Sequence, residues 1–133
     1  MIQAKLIKLG KYIATKRHQE FEWGRNDCNT FVMEMHDAVH NTDVLKQIYE
    51  KYTTMRTAMV FSKRVIGTAE DKLVELGYTK RIKATSGDVL LQHGKFYTTA
   101  WIVLDKVSYS MHEQHGFMMV ETRALDNYTV WRM

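Results

Sequence analysis

The sequence predicts an α+β fold in which N-terminal helices pack on an antiparallel β-sheet. Three observations carry that expectation. Apolar residues recur at helical spacing through the first half of the chain, and the period changes after Gly77. The second half then holds short strand-like runs. Among them is Ala100-Trp101-Ile102-Val103-Leu104, a continuous apolar run of the kind a central strand shows when both its faces are covered.

Ile2, Leu6, Leu9 and Ile13 define the first helix, with Lys5, Lys8, Lys11, Lys16 and Arg17 around its other sides. Phe21-Glu22-Trp23-Gly24-Arg25-Asn26-Asp27 breaks the pattern. Gly24 permits a turn, and Asn26 and Asp27 suit the cap of a helix that begins near Cys28 and continues through Phe31, Val32, Met35 and Val39. Asn41-Thr42-Asp43 predicts a further cap, followed by a helix carrying Val44, Leu45, Ile48 and Tyr49. A short helix is expected around Thr53 to Arg64. Thr68-Ala69-Glu70-Asp71 resembles a capping box with Asp in place of Glu or Gln, and its helix stops at Gly77. The predicted strands are Tyr78 to Ile82, Val89 to Leu91, Ala100 to Leu104, Val107 to Met111, Phe117 to Glu121 and Val130 to Met133.

Length and composition narrow the function classes. The 133 residues suit one domain spanning 1–133, and 45% hydrophobic with 26% charged residues excludes a disordered segment, a collagen-like repeat or a coiled coil. No apolar run reaches the roughly 18 residues of a membrane span, and the N-terminus lacks the apolar core of a secretory signal. A single cysteine excludes an internal disulfide and a multi-cysteine zinc site, which points to synthesis in a reducing cytoplasm. The net charge of +4 is too small to imply nucleic acid by itself, so no nucleic-acid partner is expected. A basic first helix could still lie on nucleic acid or an anionic membrane, against the plainer reading of a solvated helix face.

Cys28 is the most informative residue. At the start of a helix, free backbone N–H groups and the helix dipole favour a thiolate, which is how a nucleophilic cysteine is activated. The plainer reading is an inert cysteine on the helix's apolar stripe. His112-Glu113-Gln114-His115 offers no convincing metal site, because positions three apart on a strand face opposite sides. Neither metal nor cofactor is expected.

Phe21-x-Trp23-Gly24-x-x-Asp27-Cys28-x-x-Phe31-Val32 resembles the nucleophile segment of NlpC-type papain-like cysteine peptidases, which cut amide bonds in bacterial cell-wall peptides. Ser86-Gly87-Asp88-Val89-Leu90-Leu91 resembles the Gly-Asp strand preceding their histidine strand. Nearly the whole chain is similar to small NlpC-like proteins encoded in phage tail gene clusters. The shared traits are the leading helix, the Trp-Gly-x-x-Asp-Cys turn, the Leu-Gly helix end and a terminal Trp131-Arg132 pair. The resemblance implies a papain-like (NlpC-type) core and a virion location after synthesis in the host cytoplasm. It implies other phage tail or virion proteins, and peptidoglycan, as partners.

The resemblance also implies a histidine at the start of the strand after the Gly-Asp strand, and laid on this chain that position falls at Thr99, which cannot act as a base near neutral pH. His93 falls too early. If Asp105-Lys106 is a two-residue hairpin loop, Leu104 pairs with Val107 and the count sets Thr99 opposite His112, making His112 the substitute base for Cys28. The plainer reading of His112 is a surface histidine near a sheet edge. Three functions therefore compete: a structural tail or virion protein without catalysis, an active cysteine amidase or endopeptidase acting on peptidoglycan, and a small binder of nucleic acid or membrane. Loss of the expected histidine favours the first.

Overall fold

The computed structural model describes residues 1–133 and has the expected architecture: helices first, then a six-stranded antiparallel sheet. The helices are α1 (Gln3–Lys16), α2 (Cys28–His40), α3 (Met55–Phe61) and α4 (Ala69–Glu75). The strands are β1 (Thr79–Arg81), β2 (Val89–His93), β3 (Thr98–Leu104), β4 (Val107–His112), β5 (Gly116–Glu121) and β6 (Tyr128–Arg132). They lie in the order β1-β6-β2-β3-β4-β5, so the last strand inserts between the first two. No helix is long and apolar enough to cross a membrane.

The alternation of each strand divides the core between two faces. On one face Val89 and Leu91, Ala100 and Ile102, Met111 and Trp131 meet Leu9, Phe31, Met35 and Val39 of α1 and α2. On the other, Leu90, Trp101, Val103 and Val130 form a smaller cluster with Met118 and Val120 packed against it. The apolar run in β3 thus serves both clusters, as a doubly covered strand should.

An ion pair ties the inserted strand to its neighbour. Arg132 on β6 donates from Nε and Nη2 to the two carboxylate oxygens of Asp88, both at 2.9 Å. Asp88 is buried and accepts the Thr85 N–H as well, while Arg132 also donates to the Lys83 carbonyl. The second half of the terminal Trp-Arg pair and the Gly-Asp strand are two ends of one contact.

The segment after α2 departs from expectation. Only a 3-10 turn, Leu45–Gln47, forms where a third helix was predicted. The Asp37 carboxylate takes the Val44 and Leu45 N–H groups and the Thr42 hydroxyl, so α2 supplies the partners that a new helix start would need. Glu50 then turns through φ +60°, and its N–H bonds the Gly24 carbonyl, committing the segment to the turn before α2. The short helix predicted to reach Arg64 ends earlier, at Phe61, and passes into a π-turn over Ser62–Ile66. The Thr68–Asp71 capping box is present, and Gly77 adopts φ +99° after the α4 terminus. The basic sides of α1 are not uniformly solvated, because Lys16 is buried against Glu34 at 2.7 Å and Lys5 Nζ donates to His40 Nδ1 at 3.0 Å.

Two predictions follow from these contacts. Asp88→Ala leaves the Arg132 guanidinium and the Thr85 N–H without their partner, and because Arg132 stays accessible to water the variant should lose about 2 kcal/mol in urea denaturation. Burial lowers the pKa of His36, and burial together with Lys5 pushes His40 down to about 4 from an ordinary 6.5. The unfolded chain therefore takes up these protons first. Their contribution to stability is complete above about 6.5 and is lost as pH falls toward about 4. His40→Gln should flatten that part of a stability-against-pH curve.

Candidate functional site

The turn before α2 is organised by Asp27, which is buried. Its Oδ1 accepts the N–H groups of Asn29 and Thr30 at 2.9 Å each, and its Oδ2 accepts that of Gly24 at 2.9 Å. Thr30 returns the contact, its hydroxyl accepting the Asp27 N–H at 2.8 Å. Gly24 sits at φ +84°, and a side chain there would overlap the Tyr52 carbonyl oxygen, so both conformation and space require glycine. The Gly24 and Asp27 positions of the Trp-Gly-x-x-Asp-Cys pattern are thus accounted for by folding.

Cys28 is the first residue of α2, half-buried and packed against the helix-facing cluster. The β3–β4 pairing ends at Ile102↔Tyr109, and beyond it the Ala100 carbonyl accepts the Ser110 hydroxyl at 2.7 Å. The backbone N–H groups of Ala100, Cys28 and Asn29 favour the thiolate form of Cys28. Another polar neighbour of the sulfur is Asn29 Oδ1 at 3.9 Å. These N–H groups pull the thiol toward ionisation, but burial and the Asp27 charge outweigh them, and its pKa is pushed up to about 12. The helix start does not make this cysteine a thiolate. Desolvation wins.

The histidines lie elsewhere. The hairpin count is right at the turn, since Leu104 pairs with Val107, but the ladder parts before reaching Thr99 and His112. Both residues also stand on the face away from Cys28. Thr99 pairs with Gln92 and alternates with Ala100 and Ile102 of the helix-facing core. His112 follows Met111 of that same core and pairs with Gly116, whereas Met111 pairs with Phe117, whose ring meets Phe31 of α2. His112 Nδ1 accepts the Gln114 N–H at 3.1 Å, and its ring stacks on His115 at 5.1 Å. The structure therefore does not bring His112 to Cys28.

Alternation puts Thr98, not Thr99, on the Cys28 side of β3. Its partner His93 shares that side, but the ring turns toward α4 and β6, with Nε2 3.5 Å from both Glu70 Oε1 and Thr129 Oγ1. Tyr52, absent from the sequence reading, completes the surroundings of the turn. It is buried, and its hydroxyl lies beside Asp27, Cys28 and Asn29. No periodic signal marks Tyr52, because it lies in irregular chain. The Thr98 position could have been found by counting in twos from the core residues of β3, had its inward face been distinguishable.

Because burial favours the neutral thiol in the folded state, the Cys28 contribution to stability is complete below the ordinary thiol value near 9 and is lost as pH rises toward about 12. Alkylation of folded protein by a small electrophile at neutral pH should run roughly a hundredfold or more below that of the unfolded chain. Equal rates in the two states would contradict the raised pKa, and faster alkylation of the folded protein would show an activated thiol.

Among curated proteins, none matches the chain. The family model described as a domain of unknown function (DUF6950) matches residues 4–133, nearly the full length. The chain belongs to the DUF6950 family.

Proposed function

We propose that this protein is an NlpC-like component of a phage tail or virion, with a papain-like core kept as a structural module and no hydrolytic activity. The observation that carries the reading is the composition of the Cys28 surroundings. The sulfur is met by backbone N–H groups, the Asn29 amide and the Asp27 charge, with threonine at the helix-facing start of β3 and His93 turned toward Glu70. Cysteine catalysis needs a base in contact with the nucleophile, and a thiol held near 12 without one stays protonated. Support for the papain-like core comes from a cysteine-led helix laid on an antiparallel sheet, followed in sequence by the Gly-Asp strand. Exposed Phe96 and Tyr97 at the β2–β3 hairpin, and Met59 and Val65 near the π-turn, supply apolar surface suited to contacts with other tail or virion proteins.

One observation favours the alternative, an active cysteine amidase or endopeptidase acting on peptidoglycan. The backbone N–H groups of Cys28, Asn29 and Ala100 favour negative charge at the sulfur, as donors that stabilise an oxyanion would. The test is incubation of the purified protein with intact sacculi and with short cell-wall peptides beside a Cys28→Ala control. The expected result is no cleavage above the control, since removing a base costs several orders of magnitude in rate. Clear cleavage by the parent and none by Cys28→Ala would restore the peptidase.

A further inference from the structure

The two edges of the sheet are built differently. β1 is only three residues long and carries Lys80 and Arg81, with Lys83 just beyond it. Short edges and basic side chains protect a sheet against pairing with another chain. β5 has neither. It runs for six residues without lysine, arginine or proline, and its Phe117-Met118-Met119-Val120 stretch is apolar. Met119 is 51% exposed on that edge.

One hydrogen bond fixes which peptide groups of β5 face outward. The Thr122 N–H donates to the Lys106 carbonyl at 2.9 Å, in the register that pairs Val107 with Glu121. Alternate residues of an antiparallel strand bond to the same neighbour, so Gly116, Met118 and Val120 turn their peptide groups to β4. Those of Phe117, Met119 and Glu121 turn the other way, where β5 has no further strand beside it.

We propose that β5 pairs with β5 of a second copy of this chain, antiparallel about a two-fold axis at Met118, joining the two sheets into one. Self-complementarity chooses the partner. A two-fold pairing sets outward residues against outward residues, and centred on Met118 it places Phe117 opposite Met119 of the second copy, twice over. Each such pair exchanges two backbone hydrogen bonds, and the ring meets a thioether. The same count brings Glu113 toward Arg123 and the His115 imidazole toward Glu121, so a carboxylate meets a cation or an N–H donor at each end. Centred on Met119, the count would set Glu121 against Phe117 and His115 toward Arg123. The contact closes on itself, because it uses both β5 edges and leaves only the short basic β1 edges outside. It stands whichever way the Cys28 turn is read.

Light scattering on the full chain at roughly 100 μM, above the micromolar dissociation range of modest interfaces, should give twice the mass of one chain. Met119→Lys places a charge on the outward edge and should halve that mass while leaving the urea midpoint unchanged. Met118→Cys should form an intermolecular disulfide on mild oxidation, because opposed residues of a non-hydrogen-bonded pair have Cα atoms about 4.5 Å apart. Met119→Cys should stay unlinked, since its copy stands diagonally at about 7–8 Å, and so should the parent with Cys28 alone. A single-chain mass for the parent, a two-chain mass for folded Met119→Lys, or linkage through Met119→Cys without linkage through Met118→Cys would each overturn the proposal.

Discussion

The site depends on one buried carboxylate. Asp27 gathers three backbone N–H groups, two from the first turn of α2 and one from Gly24, and so joins an irregular loop to a helix. Everything nearby inherits its position from that contact. Cys28 is fixed as the first residue of α2, Gly24 is pressed against the Tyr52 carbonyl, and the 48–52 segment is docked by the Glu50 N–H on Gly24. The same charge that builds the turn disfavours ionisation of its neighbours, raising both Cys28 and Tyr52. A strong helix cap and a reactive thiolate are therefore in opposition here. The cap prevails because desolvation of the sulfur adds to the repulsion from Asp27.

A second buried carboxylate does for the sheet what Asp27 does for the helix. Asp88 opens β2 and receives the Arg132 fork from β6, the strand that arrives last in sequence but lies beside β2 in space. Two pieces of sequence that resemble a family signature are thereby explained as partners in one bidentate pair. Neither Asp27 nor Asp88 needs a reaction to justify it. Asp27 satisfies backbone donors that would otherwise be buried without partners, and Asp88 is itself buried and satisfied by Arg132 and the Thr85 N–H.

Much of the fold was legible because it rests on local signals. The Thr68–Asp71 box, the Asp27 cap, the period change after Gly77 and the Asp105-Lys106 loop all report short-range chemistry, and each appears in the structure. What was hidden depended on contacts between distant segments. The Val44–Tyr49 segment stops at one 3-10 turn because Glu50 turns through φ +60° and its N–H bonds the Gly24 carbonyl, tying the chain to the turn before α2. The parity of β3 was hidden because a strand covered on both faces shows no alternation, so Thr98 and Thr99 could not be told apart. His112 was placed by a count correct at the turn, but the strands part beyond Ile102 and the residue stands on the face away from Cys28. Tyr52 lies in irregular chain, where no pattern announces a buried hydroxyl.

We propose that the Cys28 turn is a folding element rather than a reaction centre. Side-by-side urea denaturation of Asp27→Ala and Cys28→Ala tests it most directly. The account predicts a loss of about 3 kcal/mol for Asp27→Ala, which strands several buried N–H groups, and a change below about 1 kcal/mol for Cys28→Ala, which only trims a half-buried side chain. A contrary result would be Asp27→Ala as stable as the parent or Cys28→Ala clearly more stable than it, the pattern of a site that gives up stability for chemistry.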